Sequence, residues 1–154
     1  MRDYLFEFSN AQDVETLDST GIVSAYVWDL ENSASGVSMR QTDFMVHGWV
    51  NFIILASTNT TGNNFRITLV SSSTEALTGT LKYLGGTELL IPEIITGYRG
   101  CFGVHRHTNE QFLGVWYKAA TTTTGATTVD CWFSPWPEQS PNDSSQKRSN
   151  TAFG

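Results

Sequence analysis

The amino-acid sequence predicts an all-β protein, an antiparallel β-sandwich or jelly roll with little helix. Short runs of β-type residues, many of them alternating between apolar and polar, recur along most of the chain. No stretch carries an apolar i, i+3, i+4, i+7 stripe longer than about two turns. Charged residues make up only 16%, against a usual ~25%, so Ser, Thr, Asn and Gly must supply most of the polar surface.

The first run, "RDYLFEFSNAQDV" (2–14), alternates Tyr4, Phe6 and Phe8 with Leu5 and Glu7. It places an adhesive strand at a terminus, where chains usually fray. It is therefore expected to be an edge strand or arm covered by other residues of the fold or by another chain. The following "SNAQDVETL" (9–17) offers at most one helical turn, with Ser9 or Asn10 as cap.

"GIVSAYVWDL" (21–30) reads as a strand with Val23, Ala25 and Val27 on one side and Ile22, Tyr26 and Trp28 on the other. "VHGWVNFIILAS" (46–57) starts mixed and ends as a continuous apolar run, the pattern of a strand buried on both faces. "NFRITLVSSS" (64–73) sets Phe65, Ile67 and Leu69 against Arg66, Thr68 and Val70, as in a half-buried antiparallel strand. "TGTLKYLGG" (78–86) and "TELLIPEII" (87–95) follow as two runs, with Gly85-Gly86 as a turn and Pro92 marking an edge or bend. The residues between Gly97 and Gly103 also read as turn. "QFLGVWYKA" (111–119) and "TTVDCWFS" (127–134) are predicted to form a hairpin around a Thr-rich connection containing Gly125. Residues 31–43, 57–63 and 105–110 ("HRHTNE") read as loops.

From "SPWPEQSPNDSSQKRSN" (134–150) the composition turns Pro-rich and polar. The expected organisation is thus a β-sandwich over residues 1–133 and an extension over 134–154, ordered only through Trp136 and Phe153. The length of 154 residues fits one domain.

A net charge of −6 argues against a nucleic-acid binder, which needs a basic footprint, and against attraction to an anionic membrane. The opening residues carry Asp3 and Glu7 and no apolar h-region, so no signal peptide is expected, and the longest apolar stretch, Phe52–Ala56, is far too short to span a bilayer. Cys101 and Cys131 do not form a disulfide framework and make no C-x-x-C. Two buried thiols are the default reading, with a bridge open if strands bring them together.

His105 and His107 would share a face if they lay on one strand, with His47, a cysteine or a carboxylate as third metal ligand. Their spacing matches no zinc signature, and the segment reads as a polar loop tip, so no metal or other cofactor is expected. Triads are recognised by geometry rather than order, but no G-x-S-x-G elbow is present. Asp29, Glu31, Glu88, Glu93 and Asp130 are scattered without favouring any acid/base pair. No catalytic residues are assigned, and the chain is read as a non-enzyme. The aromatics Trp116, Tyr117, Trp132, Phe133 and Trp136 gather late in the chain. They suit core packing, a protein contact face or a sugar-binding platform.

The order of these features resembles the capsid cement, or decoration, proteins of tailed bacteriophages. The matching residues are Leu5, Ser9, Ala11, Gln12, Asp29, Leu30, Ile91 and Pro92, then Leu113, Val115 and Tyr117 in the late strand. The similarity runs in order from residue 3 to about 133. The chain departs from the family in an extra loop within "YRGCFGVHRHTNEQFLGVWY" and in the tail after Phe133. The resemblance implies a virion protein, made in the host cytoplasm, that binds the outer surface of the phage head and clamps the major capsid protein lattice. Its partners would be the major capsid protein and other copies of itself, as a dimer or trimer. Tyr4, Phe6, Phe8, Trp132 and Trp136 are the candidate capsid or subunit contacts. The alternative is a carbohydrate- or receptor-binding sandwich of a virion fibre.

Overall fold

A computed structural model describes residues 7–14, 21–30, 44–58, 64–90, 94–119 and 127–138. These residues form nine strands and no helix: β1 (Glu7–Asp13), β2 (Ile22–Val23), β3 (Trp28–Asp29), β4 (Phe44–Ser57), β5 (Phe65–Ser72), β6 (Leu81–Leu89), β7 (Arg99–Thr108), β8 (Phe112–Ala119) and β9 (Thr127–Ser134). All described pairings are antiparallel.

One sheet has the order β1-β9-β4-β7; the other has β2-β8-β5-β6, with β3 also on β8. Because β2 and β3 pair with successive stretches of β8, they act as one interrupted strand. The chain then changes sheet at every connection except β5 to β6. This is the jelly-roll arrangement, an eight-strand form of the two-sheet sandwich.

The core lies between the sheets. On β4, Val46, Val50, Phe52 and Ile54 point inward and are almost fully buried. They meet Phe65, Ile67 and Leu69 of β5 and Leu113, Val115 and Tyr117 of β8. The alternation of β5 is as predicted from Phe65 to Leu69, with Phe65, Ile67 and Leu69 fully buried and Arg66 exposed, but Val70, expected on the open side, is fully buried as well. On β4 both faces are buried over Val50–Ile54, but Leu55 is already exposed.

Several elements differ from expectation, each for a physical reason. Residues 9–13 belong to a bulged strand, not a helical turn. Segment 21–30 is interrupted because Ser24 substitutes for a ladder partner. Its hydroxyl accepts the Val115 amide at 3.0 Å and donates to the Tyr26 carbonyl at 2.9 Å.

The pair Gly85-Gly86 is no turn; it sits inside β6. A Cβ on Gly86 would lie 2.9 Å from the Ile67 carbonyl oxygen, so glycine here permits close approach of two backbones. Of the glycines between 97 and 103, only Gly97 is in a turn, with φ 87°, while Gly100 and Gly103 lie in β7. His105–Thr108 likewise extend β7 rather than form a loop tip.

The expected hairpin of 111–119 with 127–134 is not formed. β8 and β9 lie in opposite sheets, as the jelly-roll order requires of that connection.

Candidate functional site

Of the five expected contact residues, Tyr4 and Phe6 lie outside the described residues. Phe8 does not face a partner: it is fully buried and stacks on Trp28 at 4.6 Å between ring centroids. Trp28 in turn meets Phe133 edge-on at 5.9 Å. The chain's own core thus covers Phe8, while β1 lies, among the described residues, at the end of its sheet.

The Ser9-Asn10-Ala11-Gln12 stretch is built as a clasp between the sheets. Its register breaks twice, between Glu7 and Ser9 and between Ser9 and Gln12. Ala11 adopts the left-handed conformation, φ 47°, which costs a residue with a Cβ about a kilocalorie per mole or more. Its amide donates to Asp130 Oδ1 at 2.7 Å.

The breaks let two inward side chains reach the other sheet. Gln12 Nε2 donates to the Val23 carbonyl at 2.8 Å, and its Oε1 accepts the Ala25 amide at 2.8 Å. The carboxamide therefore bonds like a piece of strand. Ser9 Oγ donates to the same Gln12 oxygen at 2.6 Å, so the hydrogen bond between Ser9 and the Tyr117 hydroxyl, 2.7 Å long and buried, has Tyr117 as donor.

Trp132 is buried, 5% exposed, on the outer face of the first sheet. It stands in register with Glu7 and Asn51. Trp136, by contrast, is 73% exposed, and its backbone is held in place. Asn51, 1% exposed, donates to the Trp136 carbonyl at 3.4 Å and accepts the Glu138 amide at 2.7 Å. Ser134 Oγ accepts the Trp136 amide at 3.1 Å and donates to its carbonyl. The chain after β9 is thus folded back onto the sheet, and the indole is presented to solvent. Asn51 was not singled out from the sequence. Its only signal is a lone amide inside an apolar strand, which must find partners when buried.

The outer face of the second sheet carries a shallow cleft of about 230 Å³ lined by Arg66, Thr68, Gly86, Thr87 and Glu88. Arg66 pairs with Glu88 at 2.6 Å. Trp116 stands in register with Thr68, and the Lys118 ammonium lies 3.9 Å from the centre of its ring.

His47 and His105 face one another across β4 and β7. Their Nδ1 atoms are 2.6 Å apart and their rings meet edge-to-face. Both are exposed. Among the described residues, no group of three or more His, Cys, Asp or Glu converges on one point.

The cysteines are not bridged. They lie on β7 and β9, on either side of β4. Their β4 partners are consecutive residues, Asn51 for Cys101 and Phe52 for Cys131, so they occupy opposite sheet faces. Burial pushes the Cys131 thiol up to about 12 and raises the Tyr117 phenol well above its ordinary value, the neighbouring Cys131 adding to it. A thiol held protonated in this way is a packing group rather than a nucleophile.

These features define the class: a jelly-roll β-sandwich with an inter-sheet clasp and an anchored, exposed tryptophan. No protein-family model matches the chain, and no curated protein matches it.

Proposed function

We propose that this chain is a structural virion protein, a cement protein that binds the outer surface of a bacteriophage head and stabilises the major capsid protein lattice. The observation that carries this reading is where the family-like residues meet. Ser9, Gln12 and Tyr117 all belong to the resemblance, and they form one hydrogen-bonded chain across the sandwich. Asp29 and Leu30 belong to it as well, and both bond Gln111 next to β8. Leu113 and Val115 of the same set are core residues. Short motifs that are generic one by one would not be expected to converge in this way.

A cement role also suits the surface. Trp136 is an exposed aromatic on a fixed backbone, the kind of residue that anchors protein contacts. Weak individual contacts suffice when many copies act together over a symmetric lattice. The partners are the major capsid protein and further copies of this chain.

The test is the protein composition of gradient-purified virions of the phage that encodes it. The chain should be present in copy number comparable with the major capsid protein and should leave on mild denaturant before the shell breaks. A handful of copies per particle, or none, would sink the reading.

One observation favours the second reading, a carbohydrate-binding domain of a virion fibre. The Arg66–Glu88 pair borders an open cleft, Trp116 stands in register with Thr68 of its lining, and an aromatic ring beside paired polar groups suits sugars. Glycan-array binding that is lost in Trp116→Ala, together with low virion copy number, would select it.

A further inference from the structure

We infer that His47 and His105 form a site for a divalent transition-metal ion, which would staple β7 to β4. The two imidazoles come from strands in direct register and present the same ring nitrogen to one another, Nδ1 to Nδ1 at 2.6 Å. In the metal-free chain one Nδ1–H donates to the lone pair of the other. A metal ion in place of that proton would take one lone pair from each ring, and the two nitrogens already stand within hydrogen-bond reach of one another.

With metal–nitrogen bonds of ~2.0–2.1 Å, two ligands in neighbouring positions sit roughly 2.9–3.4 Å apart. The rings therefore have to open by less than an ångström. Both are exposed, so nothing in their burial opposes that movement or the entry of an ion. Water would fill the remaining positions.

Neutral imidazole favours Zn²⁺, Ni²⁺ and Cu²⁺ over the oxygen-seeking Mg²⁺ and Ca²⁺. His107 lies on the same face of β7, but two residues along, about 7 Å away along the strand, opposite Met45 rather than His47. The pair that defines the site is therefore the cross-strand one.

The location gives the ion a purpose. Among the described residues β7 is an edge strand whose only ladder is with β4. An ion bound to residues of both strands stabilises that ladder by mass action, because the unfolded chain does not hold the two imidazoles together.

The experiment titrates Ni²⁺ alone into the untagged full-length chain, with ¹H–¹⁵N NMR, calorimetry and thermal unfolding as readouts. Amides near His47 and His105 should broaden first, and the unfolding temperature should rise with Ni²⁺. His47→Gln and His105→Gln should each weaken binding by at least about tenfold, since even the loss of a group behind a ligand costs that much. Each should also abolish the thermal shift, while His107→Gln keeps it. Metal-free unfolding temperatures of the variants show that they fold. The inference is overturned if broadening begins elsewhere. It is equally overturned if His47→Gln binds like the parent, or if His107→Gln loses binding while His47→Gln does not.

Discussion

Ser9 Oγ and the Tyr117 hydroxyl lie 2.7 Å apart inside the sandwich although 108 residues separate them in the chain. Ser9 donates its own hydroxyl hydrogen bond to Gln12, whose carboxamide bonds the backbone of the second sheet at Val23 and Ala25. The two sheets are therefore joined by polar bonds as well as by the apolar core between them.

Removing the middle of that chain should cost more than removing its end. Ser9→Ala leaves the buried Tyr117 hydroxyl without this acceptor and should destabilise the fold by about 1–3 kcal/mol. Tyr117→Phe removes the donor but leaves Ser9 bonded to Gln12, so about 1 kcal/mol is expected. Urea unfolding of both variants checks the ranking, and a Ser9→Ala protein as stable as the parent would contradict it.

Asn51 makes a different test, because it holds the backbone that presents Trp136. Asn51→Ala withdraws both bonds from residues 136 and 138 and should cost about 1–3 kcal/mol as a buried polar loss. The local effect is more diagnostic. The Glu138 amide should lose protection in hydrogen exchange while amides of β5 and β8 keep theirs. Uniform loss across the sandwich would mean that Asn51 supports the whole sheet rather than the fold-back.

The buried thiol gives a pH signature. Its folded value is raised from about 9 to about 12, so the native state keeps a proton that the unfolded chain gives up. Between those values stability falls as pH rises, by up to about 1.4 kcal/mol per pH unit, and below pH 9 the contribution is fully present. The raised Tyr117 phenol acts in the same direction. Unfolding measured from pH 7 to pH 11 should show this fall, with a shallower slope in Cys131→Ala. Under native conditions a thiol reagent should modify Cys101, which is partly exposed, and spare Cys131.

If the chain cements a capsid, attachment should depend on exposed residues such as Trp136. Trp136→Ala removes an exposed ring and should leave the unfolding temperature unchanged while weakening binding to capsids stripped of the protein. Tyr4→Ala and Phe6→Ala test the other expected contacts. Deleting residues 1–8 would confuse the question, because Phe8 is a core residue and its loss would destabilise the sandwich by about 3–5 kcal/mol. Full binding by all three substituted proteins would remove these residues from the interface.

Elements with clean two-residue periodicity were legible. Phe65, Ile67 and Leu69 announce a strand with one face inward because burial alone sets that pattern, while the burial of Val70 on the other face was not legible. Gly85-Gly86 misleads because glycine marks a turn and a close backbone approach equally well; only the neighbouring Ile67 carbonyl distinguishes them. The supposed hairpin of residues 111–134 fails for a topological reason. Two strands joined by a short connection look paired, yet here the jelly-roll order sends β8 and β9 to opposite sheets. Among the aromatics, composition could not separate Phe8 and Trp132, which are buried, from Trp136, which is exposed. His47 and His105 are 58 residues apart, and their meeting depends on a register no local pattern encodes.

The irregular course of β1 has a consequence for contact between molecules. A straight, open strand at the border of a sheet invites another molecule to dock and propagate into fibres. Two register breaks and the left-handed Ala11 leave no flat run of β1 longer than a few residues on which such growth could start. A neighbouring molecule therefore finds no straight template along β1 on which to add a strand.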